Sequence, residues 1–303
     1  MPDPESPEQF EARREALFEK LDLKGQHESQ LKVLNEAGIL ELLPESGDMG
    51  IVGVDGKEYP VPTLGDIKER LKDPETLEMI ERKHSQGFNK MLFVPFGLPI
   101  PVLIDRYEKI FFQKHNEGKL TTSDGEIITT IRKKIVATPP DMDIHKEGQL
   151  SYYPKIGEEV EAGKSKKELV NEGLAWDVVL VEDLVDFWSD KKAKKLGGRR
   201  QTRDVSFSIP DLRERIKKDP SYQNEIGFTP EAWLALAISV INEKNMQIDE
   251  AAQMRLFGAH DAKNRMPVVE WAPRAKRVEF TSKTTHSFAQ CLARTAVRLD
   301  RKE

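Results

Sequence analysis

A dense basic segment holds the residues whose types and spacing best fit a chemical role. It packs seven cations into thirteen residues: Lys191, Lys192, Lys194, Lys195, Arg199, Arg200 and Arg203. Gly197 and Gly198 interrupt the run, and glycines beside paired arginines allow backbone amides and guanidinium groups to close around a phosphate. The segment therefore predicts an anion-binding or phosphate-binding site. The alternative is a solvated basic loop.

A second pattern has the side chains of a metal site. Asp141, Asp143 and His145 stand at alternate positions. In an extended chain they would share one face, where two carboxylates and an imidazole suit a divalent cation. In a proline-rich loop, the same three side chains are equally compatible with full solvation.

Nucleophilic catalysis has only weak support in the sequence. His286 and Ser287 precede Cys291, and a Cys or Ser nucleophile needs a neighbouring base. No G-x-S-x-G, H-E-x-x-H, Walker-type or G-x-G-x-x-G motif is present. Cys291 lies among small apolar residues and is better interpreted as a core residue.

The composition limits the class of protein. The chain has 303 residues, 33% of them charged and 38% hydrophobic, with a single cysteine. It has no glycine triplet repeat, no sustained heptad pattern and no long apolar run, which excludes collagen, coiled-coil rods and membrane proteins. One cysteine cannot close an internal disulfide, and the acidic N-terminus lacks an apolar signal-peptide stretch. The sequence thus predicts a soluble, cytoplasmic protein without a cofactor.

Charge changes sign along the chain. Residues 1–50 carry 5 Lys/Arg and 12 Asp/Glu, a net charge of −7, whereas residues 251–303 carry 11 and 5, a net charge of +6. A basic tail favours an anionic partner. The opposite interpretation is that the acidic and basic ends lie near each other and attract.

The first fifty residues predict two helices. An apolar stripe that includes Phe10, Leu17 and Leu21 is typical of an amphipathic helix. The second helix is predicted over 28–43, with Gly38 as a weak point in its middle.

A hairpin and two capped helices follow. Asp55 and Gly56 separate two apolar runs and predict a type I′ turn, with Pro60 on an edge strand. The sequence 63–66 predicts a capping box, and 73–75 predicts a new helix with proline at its first position.

The middle of the chain predicts one secure strand and one ambiguous segment. Residues 91–96 predict a buried strand and 101–115 a helix. Residues 126–136 predict either a strand or a basic-ended helix. The Pro- and Gly-rich segment 138–166 predicts a linker or long loop between an N-terminal region, 1–137, and a C-terminal domain, 167–303.

The C-terminal half predicts helices followed by strands. Helices are expected at 165–171, 209–218 and 229–244, the last with Thr229 as its N-cap, and a buried strand at 176–181. Short strands are expected at 255–257, 267–271, 277–280 and 294–299. The predicted fold class is therefore α+β, with short antiparallel strands at the end.

The C-terminal strands resemble a known family. The runs at 256–259, 267–271 and 277–280, closed by the sequence ARTAVRL at 293–299, are similar to the closing strands of C-type-lectin-like domains of bacterial and phage-element ligand-binding proteins. The resemblance covers about fifty residues. It implies a surface that displays a ligand site rather than a catalytic pocket.

The sequence therefore favours a non-catalytic binding protein. Its basic C-terminal half is expected to contact an anionic partner, either a protein or a ligand, and no membrane. A nucleic-acid-associated protein that uses the basic segment 191–203 is the alternative. An enzyme of unrecognised type stays open, because catalytic groups often meet only in space.

Overall fold

The structure is a computed structural model, and it describes residues 5–138, 144, 148–153, 163–183, 218, 222–250, 253–263, 265–283 and 291–299. Within these residues the chain has an α+β fold of seven helices and several mainly antiparallel sheets. None of the helices that the structure describes is long and apolar enough to cross a membrane.

The helices lie mostly in the N-terminal half. They are α1 (Pro7–Lys20), α2 (Leu23–Glu36), α3 (Leu64–Arg70), α4 (Pro74–Ser85), α5 (Ile100–Asn116), α6 (Lys166–Asn171) and α7 (Pro230–Lys244).

Two antiparallel sheets have three strands each. The first consists of β1 (Glu41–Leu42), β2 (Met49–Val52) and β3 (Glu58–Pro60), in that order. The second has the order β11-β6-β7, with β6 (Leu150–Tyr152), β7 (Lys164–Ser165) and β11 (Ala259–Asp261).

Two larger sheets form the remainder. A four-stranded antiparallel sheet has the order β4-β8-β15-β9, with β4 (Phe88–Val94), β8 (Asp177–Glu182), β9 (Ile226–Gly227) and β15 (Thr295–Arg298). A five-stranded mixed sheet has the order β14-β10-β12-β13-β5, with β5 (Val136–Ala137), β10 (Gln253–Arg255), β12 (Met266–Ala272), β13 (Arg277–Lys283) and β14 (Cys291–Ala293).

Helix α7 is the centre of the core. Every residue from Pro230 to Ile241 is buried, and the helix packs against α5, β4 and α2. A helix that is apolar on all sides must be enclosed by other elements, and this one is. As predicted, Thr229 caps it and accepts a hydrogen bond from the Ala232 N–H at 3.2 Å.

Most predictions that depend on neighbouring residues are confirmed. Thr63 and Asp66 form the capping box of α3, Asp73 caps α4, and Ser165 caps α6. The predicted strands at 91–96 and 176–181 are β4 and β8 within a few residues. Strands β10, β12, β13 and β15 lie close to the four predicted at the C-terminal end.

The predicted length of the second helix is wrong. Helix α2 ends at Glu36 instead of continuing to residue 43. Gly38 has φ +67°, a left-handed conformation that glycine adopts at little cost and that stops a helix. The next residues turn back into strand β1.

The predicted type I′ turn is also wrong, although the hairpin itself is confirmed. Only Gly56 has a positive φ, while Asp55 does not. The Asp55 side chain explains this difference, because it accepts hydrogen bonds from the Tyr59 hydroxyl at 2.8 Å and from the Lys57 N–H at 3.2 Å. Burial and the bond to Asp55 raise the pKa of Tyr59 to about 12.

The segment 126–136 is neither the strand nor the helix that its composition predicts. It forms one isolated bridge, between Ile127 and Thr121, and joins a sheet only at β5. At its end a side chain satisfies the backbone, since the N–H groups of Ile135 and Val136 both donate to Glu108 Oε1 at 2.8 Å.

Three sequence predictions lie outside the described residues or are not tested by them. The predicted helix 209–218 lies outside, apart from residue 218. The linker 138–166 is described only in part, and the boundary that it defines stays a prediction. Residues from both sides of that boundary belong to one hydrophobic cluster.

Candidate anion-binding surface

The side chains singled out from the sequence are not among those that the structure describes. The basic segment from Lys191 to Arg203 and the three metal-ligand candidates Asp141, Asp143 and His145 lie outside the described residues, as do His286 and Ser287. The backbone of Cys291 lies in β14, which pairs in parallel with β10. Within the described ranges, no group of three His, Cys, Asp or Glu side chains is arranged to hold a metal ion.

Four arginines of the basic tail are bound to carboxylates within the protein. The shortest distances are 2.7 Å for Arg265–Asp261, 2.7 Å for Arg277–Glu279, 2.5 Å for Arg294–Asp249 and 2.9 Å for Arg298–Asp177. None of these carboxylates belongs to the acidic residues 1–50. These four arginines therefore act as internal counter-ions and do not hold the two ends of the chain together.

Two of these pairs are largely buried and connect elements of the fold. Arg294 and Asp249 are each 2% exposed, and the Trp233 indole N–H also donates to Asp249 at 3.1 Å. Removing one partner of such a pair would leave a buried charge uncompensated. Arg298 donates twice from Nε and Nη2 to Asp177 and so connects β15 to the start of β8. An anion bound at the tail would have to contact other cations.

Five other exposed cations lie on two segments that the β5–β13 pairing brings together, and we call them the basic patch. Its members are all exposed to solvent, and none forms an ion pair with a carboxylate of the described residues: Arg132, Lys133, Lys134, Arg274 and Lys276. Three of them precede β5 and two lie in the turn between β12 and β13.

The parallel pairing of β5 with β13 brings these two segments together. Val136 is opposite Val278, and the Val278 N–H donates to the Ile135 carbonyl at 2.7 Å. Ile135, Val136 and Val278 are fully buried. Their burial and the two bonds from this segment to Glu108 on α5 fix the position of the cations that come just before it.

Arg132 makes direct contact with the opposite turn. Its N–H donates to the Lys276 carbonyl at 3.3 Å, and its Nε donates to the Ala275 carbonyl at 3.1 Å. The guanidinium is thereby held in place by the backbone while it keeps its charge. The terminal Nη groups have no hydrogen-bond partner among the described residues. A planar guanidinium with its terminal N–H groups unused is suited to binding a carboxylate or a phosphate.

Lys276 stands in an unusual backbone conformation. Its φ is +52°, the left-handed region in which a turn normally uses Gly or Asn. The Ala272–Arg277 pair closes the β-ladder, so that Lys276 ends a four-residue loop. A lysine in this position extends from the tip of the hairpin toward solvent and adds to the patch.

The electrostatic consequence is a local excess of positive charge on a protein whose net charge is −5. Five charges that form no ion pair with a described carboxylate raise the concentration of anions near the surface and increase the association rate of an anionic partner. Such a contact is weakened by salt, because it is exposed. The patch offers binding and steering but no nucleophile or general base.

Sequence reasoning missed the patch, although its two parts are visible in the sequence. In the sequence, residues 132–134 belong to a segment that predicts either a strand or a basic-ended helix. Residues 274–277 contribute part of the positive charge of the basic tail. Their joining depends on the β5–β13 register, which no local pattern indicates.

Comparisons with known proteins add no candidate function. No protein-family model matches the chain, and no curated protein or solved structure matches it either.

Proposed function

We propose that this is a non-catalytic, cytoplasmic binding protein whose basic patch contacts an anionic partner. The observation that carries the proposal is the contrast between two classes of cation. They lie in the C-terminal half and in the segment 132–136 that pairs with it. Arg265, Arg277, Arg294 and Arg298 are each paired with a carboxylate. The five cations of the basic patch are exposed and form no ion pair with a described residue.

The composition of the surface indicates what kind of contact this is. Among the described residues, the large hydrophobic side chains that are exposed are Leu42, Met49 and Ile127, and none is aromatic. Unpaired bases are bound mainly by stacking on exposed aromatic rings. The patch is therefore suited to a partner recognised by its negative charge, such as an acidic protein surface. The C-type-lectin-like resemblance, which stays part of the proposal, agrees with a displayed binding surface.

The alternative is a protein that binds the phosphate backbone of nucleic acid. It would combine the basic patch with the segment Lys191–Arg203, which lies outside the described residues. Backbone contacts require only positive charge in a suitable arrangement. The two functions differ in the polyanion that binds.

The test is a binding assay with three fluorescent probes: poly-L-glutamate, mixed-sequence DNA and mixed-sequence RNA. At low salt we expect wild-type protein to bind poly-L-glutamate, and we expect the double variant Lys133→Glu/Lys276→Glu to bind it roughly tenfold more weakly or worse. Tighter binding of DNA or RNA than of poly-L-glutamate would favour the nucleic-acid alternative.

A matched control separates the patch from net charge. Lys24 and Lys32 on α2 are 78% and 73% exposed, so that Lys24→Glu/Lys32→Glu changes the net charge equally on a helix outside the basic patch. This control should bind like wild type. If no probe binds wild-type protein, or if both double variants lose affinity equally, the proposed role of the patch is wrong.

A further inference from the structure

A polar pocket lies on a different part of the molecule, where the start of α2 meets the start of β4 and the end of α7. Its volume is about 340 Å³, near the lower limit of small-molecule sites. The charged residues that line it are Asp22, Lys90, Asp183, Glu243 and Lys244. Their formal charges sum to −1, with cations and carboxylates interspersed.

The inner wall of the pocket is an ion pair between Lys90 and Glu243. The Lys90 side chain is 10% exposed and that of Glu243 is 24% exposed. Glu243 is well supplied with donors, because Oε2 accepts from the Lys90 ammonium while Oε1 accepts from the hydroxyls of Ser29 and Ser239 at 3.2 Å each. Lys90, in contrast, has donors to spare. Its ammonium has three N–H donors, and the described residues accept a hydrogen bond from one of them.

A strand irregularity positions Lys90. The register between β4 and β8 shifts between Phe88 and Lys90, so that Asn89 is an extra residue on β4. Bulges of this kind redirect side chains and are common beside functional sites. Here the side chain that follows the bulge is the partly buried ammonium.

The rim carries an unused acceptor. Asp22 precedes α2 in a left-handed conformation, with φ +46°, and its Oδ1 accepts a hydrogen bond from the Gly25 N–H at 3.2 Å. Within the described part of the chain, its Oδ2 accepts no hydrogen bond. On the same rim, Lys244 donates to Asp183 at 2.7 Å.

We propose that the pocket binds a small zwitterion of the α-amino-acid class. The ligand's carboxylate accepts the two remaining N–H donors of Lys90, and its ammonium donates to Asp22. A ligand with negative charge only would face three carboxylates, and one with positive charge only would leave the Lys90 donors unsatisfied. A zwitterion satisfies both ends within the volume available.

This site is independent of the basic patch in its elements and in its ligand. The patch is built from β5 and the β12–β13 turn, whereas the pocket is built from α2, β4 and α7. Failure of one proposal therefore leaves the other untouched.

The experiment measures binding of individual standard L-amino acids to the full chain, first by the shift in melting temperature and then by isothermal titration calorimetry. Comparison probes are glucose, as a neutral polar molecule, and the decarboxylated amines of the amino acids that bind. We expect at least one amino acid to raise the melting temperature with increasing concentration, because a ligand that binds only the folded state stabilises it. Its amine and glucose should have no effect.

Two variants test the two ends of the site. Lys90→Met combined with Glu243→Leu removes the ion pair without leaving a buried carboxylate unpaired, and should weaken binding by roughly tenfold or more. Asp22→Asn keeps a good helix cap while it removes the charge that faces the ligand ammonium, and should also weaken binding. Lys119→Glu, at an exposed residue that lines neither the pocket nor the basic patch, is the control and should bind like wild type.

Several results would overturn the proposal. They are the absence of binding by every amino acid, equal binding of an amino acid and its decarboxylated amine, stronger binding of glucose, and unchanged affinity in the folded Lys90→Met/Glu243→Leu protein. Each is measured on protein whose fold is first verified by circular dichroism.

Discussion

Lys276 combines a backbone conformation that costs stability with a charge that belongs to the proposed binding surface. A non-glycine residue in the left-handed region is disfavoured by roughly 1–2 kcal/mol. Lys276 has φ +52° and is exposed, so that burial does not compensate this cost. Its side chain instead adds charge to the basic patch. Strain at an exposed residue that carries charge is consistent with selection for binding.

Replacing Lys276 by glycine should separate stability from binding. Gly populates this conformation freely, and the relief of strain exceeds its greater entropy in the unfolded chain. We expect Lys276→Gly to raise the free energy of unfolding by up to about 1 kcal/mol, measured by urea denaturation. Its affinity for poly-L-glutamate should fall. A clear loss of stability, or unchanged affinity, would contradict this interpretation.

Residue-level predictions from the sequence are right where the determinants are local. The caps Thr63, Asp73 and Thr229 were predictable because each needs only a residue three positions away. The turn at Asp55 was not, although Tyr59 is only four positions away, because the bond from its hydroxyl to the Asp55 carboxylate follows no residue pattern.

Helix α2 protects an open edge of the four-stranded sheet. Strand β4 is at the end of the described strand order, and its outward backbone groups would otherwise be exposed to pairing. Gln26 accepts from the Met91 N–H at 2.5 Å and donates to the Asn89 carbonyl at 2.8 Å, as a neighbouring strand would. Gln30, one turn further along, accepts from the Phe93 N–H at 3.1 Å. Two amide side chains thus replace a fifth strand.

Removing the amide at position 26 should therefore destabilise this edge. Gln26→Leu keeps the size of the side chain but leaves two backbone groups of β4 without a partner, at a cost of about 2 kcal/mol in the free energy of unfolding. Hydrogen exchange at the Met91 amide should accelerate. Glu28→Leu, on the exposed face of the same helix, is the control and should leave that amide's exchange unchanged. Equal exchange rates in the two variants would refute the role of Gln26.

Helices and strands were predictable where their residue pattern indicates burial. The predictions failed where a partner distant in sequence determines the backbone conformation. Helix α7 and strand β8 are apolar runs that must be enclosed, and both were identified. The β-branched residues of 126–136 favour a strand, yet Glu108 on α5 binds the backbone there. The glutamines that protect β4 carry no strand signal at all, so their role was visible only in the fold.

At the scale of the whole molecule, the described cations behind the charge gradient include two kinds. Some are paired with carboxylates inside the protein, and others form the exposed basic surface. The tail's net charge of +6 suggested attraction to a partner or to the acidic head. Four of its arginines are instead held by Asp177, Asp249, Asp261 and Glu279, which are not in the head. The exposed basic surface arises where β5, from the N-terminal half, joins β13. Composition predicted the sign of the charge but not the place where it accumulates.

The salt dependence of polyanion binding tests the central claim most directly. The affinity of the tightest-binding probe should be measured over a range of salt concentrations for wild type, for Lys133→Glu/Lys276→Glu and for the control Lys24→Glu/Lys32→Glu. Each cation that contacts the polyanion contributes about one unit to the slope of log affinity against log salt. We predict a slope that is shallower by roughly two units in the patch variant alone. Equal slopes in all three proteins would contradict the proposal that the basic patch is the binding surface.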